Sequence, residues 1–419
     1  MAAAPLSGPV DVVVAGAGTA GLATALFLGR AGHTVAVLER RTKATAPPRG
    51  EIIQPNGLEI LHRLGVLDKL RAYPHAQTTR YHFCRIGRGV LATFDYTELA
   101  HPHPTTLVLT PEVLNACLRD ALAEHPNVTL HHGAQVTGLL REDGRVCGVR
   151  GTQSPSGEAF VVSARLVAGA DGAASRVRRE MGVGRNTSPY GEGYLTGFLP
   201  RPAGFGEDGD GYYYMGKGEI LGLFAVSRES LYFFYLSETD QLSRLRRRGV
   251  EWLGRRIAEI HPPAAAAAAR IGPWEDLNFF PCVRAMAPRW QVPGAALVGD
   301  AAHSVNPHTA QGRNLALMDA AALYDAVSAP LSQGGALPGT TLTGYERARL
   351  PEAMALQRLG DELVLFWNAR NPLLTTLRDR AFRGLAHMPG PRMRVMRGIA
   401  GLSTTPLGPG DRLRLTLGF

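Results

Sequence analysis

The sequence predicts an α/β fold in which a parallel nucleotide-binding sheet is followed by a mostly antiparallel sheet and a helical C-terminal tail. Three observations support this prediction. A strand, a glycine-rich turn, a helix and a second strand follow one another near the start of the chain. Residues 190–236 contain successive strand-like segments without helices, and helical patterns broken by prolines return from residue 343 onward. The 419 residues are enough for two lobes with a deep cleft between them.

The first of these units is a β-α-β motif built around the sequence GAGTAG. A valine-rich strand at residues 10–14 leads into this turn, and an alanine- and leucine-rich helix follows at residues 19–31. Gly16 permits the tight turn, Gly18 lets a backbone approach a pyrophosphate, and Gly21 lets the helix pack closely against the strand. The helix N-terminus then offers free N–H groups and a favourable dipole to an anion. The motif therefore predicts that a dinucleotide binds here.

The second strand of the motif, residues 34–38, ends at an acidic side chain. Glu39 can accept hydrogen bonds from ribose hydroxyls, which favours an adenosine without a 2′-phosphate. Arg40 follows it directly and is predicted to belong to the same site. A second glycine-rich stretch, residues 216–222, lies between strands with no helix after it, so we interpret it as a hairpin turn. We therefore expect a single dinucleotide-binding domain.

Two later loops also join a strand to a helix. The first, within LVAGADGAASRVRR, carries Asp171 and Gly172, and the second, within ALVGDAAHSVNPHTAQGRN, carries Gly299 and Asp300. Taken alone, the first loop is equally well explained as an ordinary capped helix start. After the second loop a helix is predicted to begin near Gly312, and its N-terminal dipole would stabilise negative charge in a ligand.

These three motifs, in this order, resemble those of the single-component flavoprotein aromatic hydroxylases, the p-hydroxybenzoate hydroxylase family. The resemblance spans residues 10–350 and implies the Rossmann-like FAD-binding domain of that family. It implies FAD as the resident cofactor and NADH or NADPH as a transient electron donor. The implied activity is that of a monooxygenase, which inserts one atom of dioxygen into an aromatic or hydrophobic organic substrate through a flavin peroxide. Secondary metabolism and catabolism are the implied settings.

The resemblance also assigns roles to individual residues. Asp300 would hydrogen-bond the ribityl chain, Arg49 would meet the FAD pyrophosphate, and Pro307 would line the place where oxygen adds to the flavin. Residues 312–314 would hold the pyrimidine end of the ring. The residues implied in catalysis are Pro307, Arg313 and Asn314. Those implied in cofactor binding are Gly16, Gly18, Gly21, Glu39, Arg40, Arg49, Asp171, Gly172, Gly299, Asp300, Gly312 and Asn314.

Two positions depart from the family pattern. Pro111 stands where many relatives have an arginine at the start of a helix, so one contact on the pyrophosphate side would have to come from elsewhere. Thr309 stands where glycine is usual, and its branched side chain would restrict the backbone or narrow the cavity. Gln54 lies near these cofactor segments in the resemblance and is expected to face the flavin's entrance.

The second sheet is expected to supply the substrate-binding wall of the cleft. Its strands are rich in aromatic residues, and strand alternation would turn about half of them into a pocket. This suits an aromatic or hydrophobic substrate, although ordinary core packing explains each side chain equally well. The residues predicted for the pocket are Tyr212, Tyr214, Phe224 and Phe234.

These interpretations divide the chain into three regions. The first is a discontinuous FAD-binding domain, the second is a substrate-binding domain, and the third is a helical C-terminal region. Their expected ranges are residues 1–75, 105–180 and 275–335 for the first, 76–104 and 181–274 for the second, and 336–419 for the third.

The composition argues against several other classes of protein. The net charge of +9 comes from scattered arginines without an aromatic-basic motif, so no nucleic-acid partner is expected. The four cysteines are widely spaced and the histidine pairs lack supporting ligands, so neither a disulfide framework nor a metal site is predicted. No segment has the roughly 18 uninterrupted apolar residues that a membrane span needs. We expect a cytoplasmic enzyme that is a monomer or a homodimer.

Other functions remain open at this point. A flavin-dependent dehydrogenase or reductase, or an alkene epoxidase, would use the same cofactor site. A non-catalytic FAD-binding protein would bind FAD but would show no substrate-stimulated oxidation of NADH or NADPH.

Overall fold

The computed structural model describes residues 8–43, 50–206 and 208–417. Its strands, numbered in chain order, are β1 (Val10–Ala15), β2 (Val35–Glu39), β3 (Glu51–Ile53), β4 (Ala76–Thr78), β5 (Arg80–Arg85), β6 (Gly89–Asp95), β7 (Thr106–Leu109), β8 (Val128–His132), β9 (Ala134–Glu142), β10 (Arg145–Gln153), β11 (Glu158–Gly169), β12 (Asn186–Pro200), β13 (Asp210–Met215), β14 (Ile220–Ala225), β15 (Ser230–Glu238), β16 (Asn278–Met286), β17 (Gln291–Val292), β18 (Ala295–Leu297) and β19 (His303–Ser304). Its α-helices are α1 (Thr19–Arg30), α2 (Pro55–Arg63), α3 (Leu67–Arg71), α4 (Pro111–Leu122), α5 (Arg176–Glu180), α6 (Leu242–Arg248), α7 (Val250–Ile260), α8 (Ala265–Ala268), α9 (Gly312–Ser332), α10 (Gly339–Trp367), α11 (Pro372–His387), α12 (Pro389–Ile399) and α13 (Pro409–Leu417).

An eight-stranded sheet, here called the nucleotide sheet, contains the predicted β-α-β motif. Its path runs β17-β18-β11-β1-β2-β8, and β9 and β10 extend β11 in an antiparallel arrangement. β1 pairs in parallel with both β2 and β11, and β11 pairs in parallel with β18. The valines at positions 12–14 are fully buried, as expected for a parallel strand that is covered on both faces. The carboxyl ends of β1, β11 and β18 meet at one edge, which is where ligands bind to open parallel sheets.

A second eight-stranded sheet, here called the aromatic sheet, faces the carboxyl edge of the nucleotide sheet. Its order is β19-β16-β12-β15-β14-β13-β5-β6, and its pairings are antiparallel except for that of β13 with β5. This confirms the mostly antiparallel second sheet that the sequence predicts. The strands β3, β7 and β4, in that order, form a third, small antiparallel sheet.

Strand β16 connects the two halves. It lies within residues 275–335, which the sequence assigns to the FAD-binding domain, yet it pairs with β12 of the aromatic sheet. The segment between β18 and α9 also contributes β19 to that sheet. The loop before α9 is therefore anchored to both sheets, and the exact domain ranges stay a prediction.

The C-terminal region is helical, as the sequence predicts. Pro372 and Pro389 each stand at the start of a helix, where the missing N–H of proline costs no intrahelical hydrogen bond. Phe382 of α11 contacts Phe83 of β5, with ring centroids 5.0 Å apart. The tail thus packs on the aromatic sheet.

Three further observations concern the described part of the chain. None of its helices is long and apolar enough to cross a membrane. None of its clusters of histidine, cysteine, aspartate and glutamate could hold a metal ion with three or more ligands. Its four cysteines are free thiols, and three of them are buried.

Candidate active site

A cavity of about 770 Å³ lies between the carboxyl edge of the nucleotide sheet and the inner face of the aromatic sheet. Residues from all three sequence motifs form one side of its wall, and aromatic side chains form the other. The predicted cofactor and catalytic residues that line it are Gly18, Gly172, Asp300, Pro307, Gly312 and Arg313. The aromatic residues that line it are Tyr194, Tyr213, Tyr232, Phe234 and Phe280.

The glycines of the first motif have different physical roles. Gly16 has a φ of +104°, and a side chain there would bring Cβ to 2.5 Å from the carbonyl oxygen of Ala170. At Gly21 a Cβ would lie 1.9 Å from the carbonyl oxygen of Gly16. Both residues shape the turn without lining the cavity, whereas Gly18 lines it and has no atom within 4 Å of an added Cβ. No side chain caps α1 at this end, so its first N–H groups are available to an anion.

Glu39 braces the same turn. Its carboxylate accepts hydrogen bonds from the backbone N–H of Ala17 and of Arg41, both at 2.9 Å. Arg40 is exposed and lies outside the cavity lining, whereas Arg41 lies within it. Arg49 lies outside the described residues, so its predicted contact with the pyrophosphate stays a prediction.

The second motif caps a short helix and also borders the cavity. The Asp171 carboxylate accepts hydrogen bonds from the backbone N–H groups of Arg176 and Val177, at 2.6 and 3.0 Å. Its other oxygen, Oδ1, is buried without a hydrogen-bond partner among the described residues. Gly172 has a φ of +77° and open space where a side chain would stand. Arg178 donates to the carbonyl of Ala301 at 2.9 Å, which ties this loop to the third motif.

A buried carboxylate that the sequence-based interpretation missed organises the third motif. Asp319 of α9 accepts hydrogen bonds from the Gly299 backbone N–H at 3.0 Å, His303 Nε2 at 2.6 Å and Arg349 Nε at 2.9 Å. Burial alone would raise the pKa of Asp319, but the charges of His303 and Arg349 lower it overall. The hydrogen bonds of Asp319 therefore fix the loop that carries Asp300. Gly299, which donates one of them, has a φ of +61°.

The start of α9 presents a cation to the cavity. Arg313 lines the cavity, donates to Glu51 Oε1 at 3.0 Å and also hydrogen-bonds the hydroxyl of Thr19. Asn314 is fully buried and does not line the cavity. Its side chain donates to the carbonyls of Ala310 and Ile52 at 2.7 and 3.2 Å. In this structure Asn314 is therefore a brace between the loop and β3, because its amide is already used by backbone partners.

The positions that depart from the family pattern fit the fold in separate ways. Pro111 lines the cavity at the first position of α4, and Asn115, one turn later, lines it as well. Thr309 is buried and lies outside the lining. Gln54 is also buried and receives a hydrogen bond from the Tyr96 hydroxyl at 3.2 Å, so it does not face an entrance as expected.

Of the four residues predicted for the substrate pocket, the structure places only Phe234 in the cavity lining. Tyr212 and Tyr214 point to the outer face of the aromatic sheet, where the Tyr214 hydroxyl meets His261 Nδ1 at 2.6 Å. Tyr213, between them, lines the cavity because successive side chains of a strand alternate between faces. Phe234 lines the cavity as predicted, while Phe224 is fully buried and outside the lining. The sequence shows that side chains alternate along these strands, but it does not show which face of the sheet lies towards the cofactor loops.

The site fits an FAD cofactor. Two long helices, α1 and α9, direct uncapped N-termini at one cavity, which suits a diphosphate and a ring that gains negative charge on reduction. Gly18 and Gly172 leave room for a backbone-bound ligand, and Asp171 Oδ1 and Arg313 Nε are buried polar atoms without a described partner.

Several named proteins are similar to this chain in sequence. The family described as an FAD binding domain matches residues 9–359. The 6-methylpretetramide 4-monooxygenase of Streptomyces rimosus is 30% identical over 316 residues, which cover 75% of this chain and 74% of that protein. The 3-demethoxyubiquinol 3-hydroxylase of Escherichia coli is 28% identical over 389 residues, which cover 88% of this chain and 93% of that protein.

Solved structures share the fold at lower identity. PqsL of Pseudomonas aeruginosa, described as a probable FAD-dependent monooxygenase, has a TM-score of 0.78 and 24% identity, covering 87% of this chain and 98% of that one. The p-nitrophenol 4-monooxygenase of Pseudomonas putida has a TM-score of 0.79 and 23% identity, covering 94% and 96%. Because the family match spans most of the chain and its three motifs converge on one cavity, the chain belongs to the FAD-dependent aromatic hydroxylases and monooxygenases.

Proposed function

We propose that this protein uses NADH or NADPH and dioxygen to insert one oxygen atom into an aromatic substrate. The observation that carries the proposal is a single cavity with two chemically different walls. Two uncapped helix N-termini and Arg313 form one wall, and five tyrosine and phenylalanine side chains form the other. Bound FAD would supply the transferred electrons and the activation of dioxygen.

The residues of the chain would position and shield the reactants. The start of α1, with Gly18, would hold the diphosphate through backbone N–H groups. Gly172 and Asp300 border the cavity from the other two motifs, and Asp300 would hydrogen-bond the ribityl hydroxyls. The start of α9, with Arg313, would stabilise negative charge at the pyrimidine end of the ring, and Pro307 would line the reacting face.

The substrate would lie against the aromatic wall. Tyr194, Tyr213 and Phe280 offer ring faces and edges, which favour a planar apolar molecule over a flexible polar one. Relatives are named for substrates of this kind, such as 6-methylpretetramide and p-nitrophenol. A cavity of about 770 Å³ has to hold the inner part of the cofactor as well as the substrate, so a molecule of one to a few rings fits.

The proposal also covers the electron donor, the domain ranges and the cellular setting. NADH or NADPH would be the electron donor, and a relative named as a probable NADH-specific resorcinol 4-hydroxylase supports a nicotinamide in this role. The donor would bind transiently. We propose the FAD-binding, substrate-binding and C-terminal regions with the ranges given above. Strand β16 belongs to the FAD-binding range in sequence and pairs with the aromatic sheet. Four free thiols are compatible with a cytoplasmic protein, either monomeric or homodimeric.

The test is an assay of the FAD-loaded protein with a panel of phenols and polycyclic aromatics. Stimulated oxidation of NADH or NADPH, together with one labelled oxygen atom from isotopic dioxygen in the product, is the expected result. Stimulated oxidation with oxygen in an epoxide would identify the alkene epoxidase. Turnover of a substrate in the absence of dioxygen would instead identify a dehydrogenase or reductase. Bound FAD without any stimulated oxidation would leave a non-catalytic flavin-binding protein.

A further inference from the structure

A second cavity, of about 250 Å³, lies among the C-terminal helices α10, α11, α12 and α13 and strand β6. Among the described residues, none lines both this second cavity and the main one. Its lining is mostly apolar, with contributions from Phe94, Leu359, Trp367, Phe382, Leu385 and Ile399. Protein interiors leave few voids larger than a water molecule. An apolar cavity of about 150 Å³ already accepts a molecule the size of benzene, so the second cavity has room for a small organic ligand.

Small residues on two helices keep this space open. Ala381 of α11 and Gly398 of α12 both line the second cavity, and neither fills it with a long side chain. A Cβ added at Gly398 would lie 2.9 Å from Cδ2 of Leu359, so Leu359 of α10 packs directly on the backbone of α12 at that point. The second cavity therefore lies beside a close helix contact, and its free volume depends on the small side chain at position 381.

The second cavity opens to solvent between polar side chains. Three of its lining residues, Arg394, Thr405 and Arg412, are exposed and form what is here called its mouth. Arg412 donates to Glu362 Oε2 at 2.8 Å, and Arg394 hydrogen-bonds Asp411. The Arg394 side chain is still 51% exposed, and a guanidinium group has several N–H donors. Arg394 can therefore also bind the polar end of a ligand at the mouth.

The arginine on the buried side of the second cavity is already neutralised by the protein. Arg378 is fully buried, and its guanidinium group donates to Asp379 Oδ1 at 2.9 and 3.1 Å. It also donates to the carbonyls of Gly216 and Trp367, at 2.9 and 3.2 Å. The rest of the lining on this side is apolar, so a second carboxylate placed there would be buried at a high cost in free energy. The charged end of a ligand therefore belongs at the mouth, and its apolar end belongs inside.

The charge of the surrounding segment favours an anion over a cation. Residues 371–419 contain eight arginines, two aspartates and no lysine or glutamate, so six of the nine net positive charges of the chain lie in this segment. Arg380 and Arg383 of α11 and Arg414 of α13 are exposed. A positive field of this kind attracts anionic ligands and raises the rate at which they bind.

We propose that the second cavity is a binding site for a small amphipathic carboxylate, an acid with one apolar chain, and that it is separate from the substrate site. The apolar chain would lie against Trp367, Leu385 and Ile399, and the carboxylate would meet Arg394 at the mouth. The ligand is bound and not transformed, so no bond forms or breaks. The inference goes beyond the proposed function and does not depend on it, because no residue that lines the main cavity takes part.

The test measures the binding of octanoate to the FAD-loaded full-length protein by isothermal titration calorimetry, with octanol as a neutral probe of the same chain length. The wild-type protein is expected to bind octanoate at one site and more tightly than octanol. Ala381→Leu places a larger side chain in the second cavity and should weaken the binding of both probes by about tenfold or more. Arg394→Gln should weaken octanoate binding by about two- to fivefold, as for an exposed ion pair, and leave octanol binding unchanged.

The matched control is Ala386→Leu, which makes the same change at another partly buried alanine of α11 that does not line the second cavity. It should leave octanoate binding unchanged. A wild-type protein that does not bind octanoate, or binds it no more tightly than octanol, overturns the proposal. Octanoate binding that Ala381→Leu leaves intact also overturns it, because the probe would then occupy another site. If Ala381→Leu does not fold, the preference for octanoate over octanol decides the matter, and its persistence in Arg394→Gln contradicts the proposal.

Discussion

At the scale of single residues, the site contains glycines that the surrounding backbone leaves without room for a side chain and glycines that face open space. Gly21 is closed off by a backbone carbonyl, whereas Gly18 faces the open cavity. These two kinds of residue predict different outcomes on substitution.

Replacing Gly21 and Gly18 by alanine should separate folding from cofactor binding. Gly21→Ala forces Cβ to within 1.9 Å of a backbone oxygen, so the free energy of unfolding of the FAD-free protein should fall by about 1–3 kcal/mol. Gly18→Ala meets no atom within 4 Å and should leave that stability unchanged, while it weakens FAD binding. Chemical unfolding without FAD and fluorescence titration with FAD measure the two effects. Equal loss of stability in both variants would contradict this view.

Glu192→Gln should alter how stability depends on pH. The ordinary pKa of 4.5 applies to the unfolded chain and a pKa of about 7 to the folded one, so unfolding releases a proton between these values. Wild-type stability contributed by this residue is therefore present below about pH 4.5 and is lost as the pH rises towards 7, by about 3 kcal/mol in total. Glutamine removes that loss.

The measurement is thermal or chemical unfolding of the two proteins at several pH values. The variant should gain stability over the wild type as the pH rises, and the difference should level off above neutrality. Glu229→Gln, at an exposed turn, serves as the control and should follow the wild-type curve. Parallel curves for Glu192→Gln and the wild type would contradict a buried carboxyl group whose pKa is raised on folding.

At the scale of elements, strands decide which side chains meet the substrate. Phe280 of β16 lines the cavity, and its neighbour Phe279 packs with the core on the outer face of the aromatic sheet. The two side chains are the same and both are partly buried, so they form a natural pair for comparison.

Phe280→Ala should raise KM for the substrate found in the panel by about tenfold, because it removes a ring face from the aromatic wall. Phe279→Ala should leave KM unchanged and affect stability alone. Steady-state kinetics and unfolding of both variants decide the matter. A rise in KM for Phe279→Ala that matches the rise for Phe280→Ala would mean that the cavity wall is wrongly identified.

Elements also explain what the sequence could and could not predict. The β-α-β motif was predictable because its glycines and Glu39 act within a few residues of one another. Asp319 was not, because its partners Gly299, His303 and Arg349 are brought to it only when α9 and α10 pack together. Its position in the helix carries no local signal of that role.

The aromatic sheet shows the same limit on prediction. Its existence and its antiparallel character followed from the strand pattern, but the choice of face did not. Tyr213 replaces Tyr212 and Tyr214 in the cavity because helices α7 and α8 cover the outer face. The contact of His308 with Glu192 is equally hidden in the sequence, because the two residues meet only once β12 and the loop before α9 are folded.

At the scale of the whole molecule, the tail is part of the support of the aromatic sheet. Phe382→Ala should lower the free energy of unfolding by about 3–5 kcal/mol, because its buried ring fills the contact between α11 and Phe83. Leu373→Ala, on the same helix but 67% exposed, should change it by less than about 0.5 kcal/mol. Chemical unfolding of both variants tests this, and equal effects would show that the tail is not docked in this way.

Trp367, at the end of α10, lies between two compartments. Its ring contacts Tyr213 and His308, which line the main cavity, and it also lines a separate apolar cavity of about 250 Å³ among the C-terminal helices. A side chain of the C-terminal region therefore packs against two residues that line the main cavity. For a protein engineer, the segment from Trp367 onward is therefore a place to test changes in the shape of the main cavity without touching the cofactor loops.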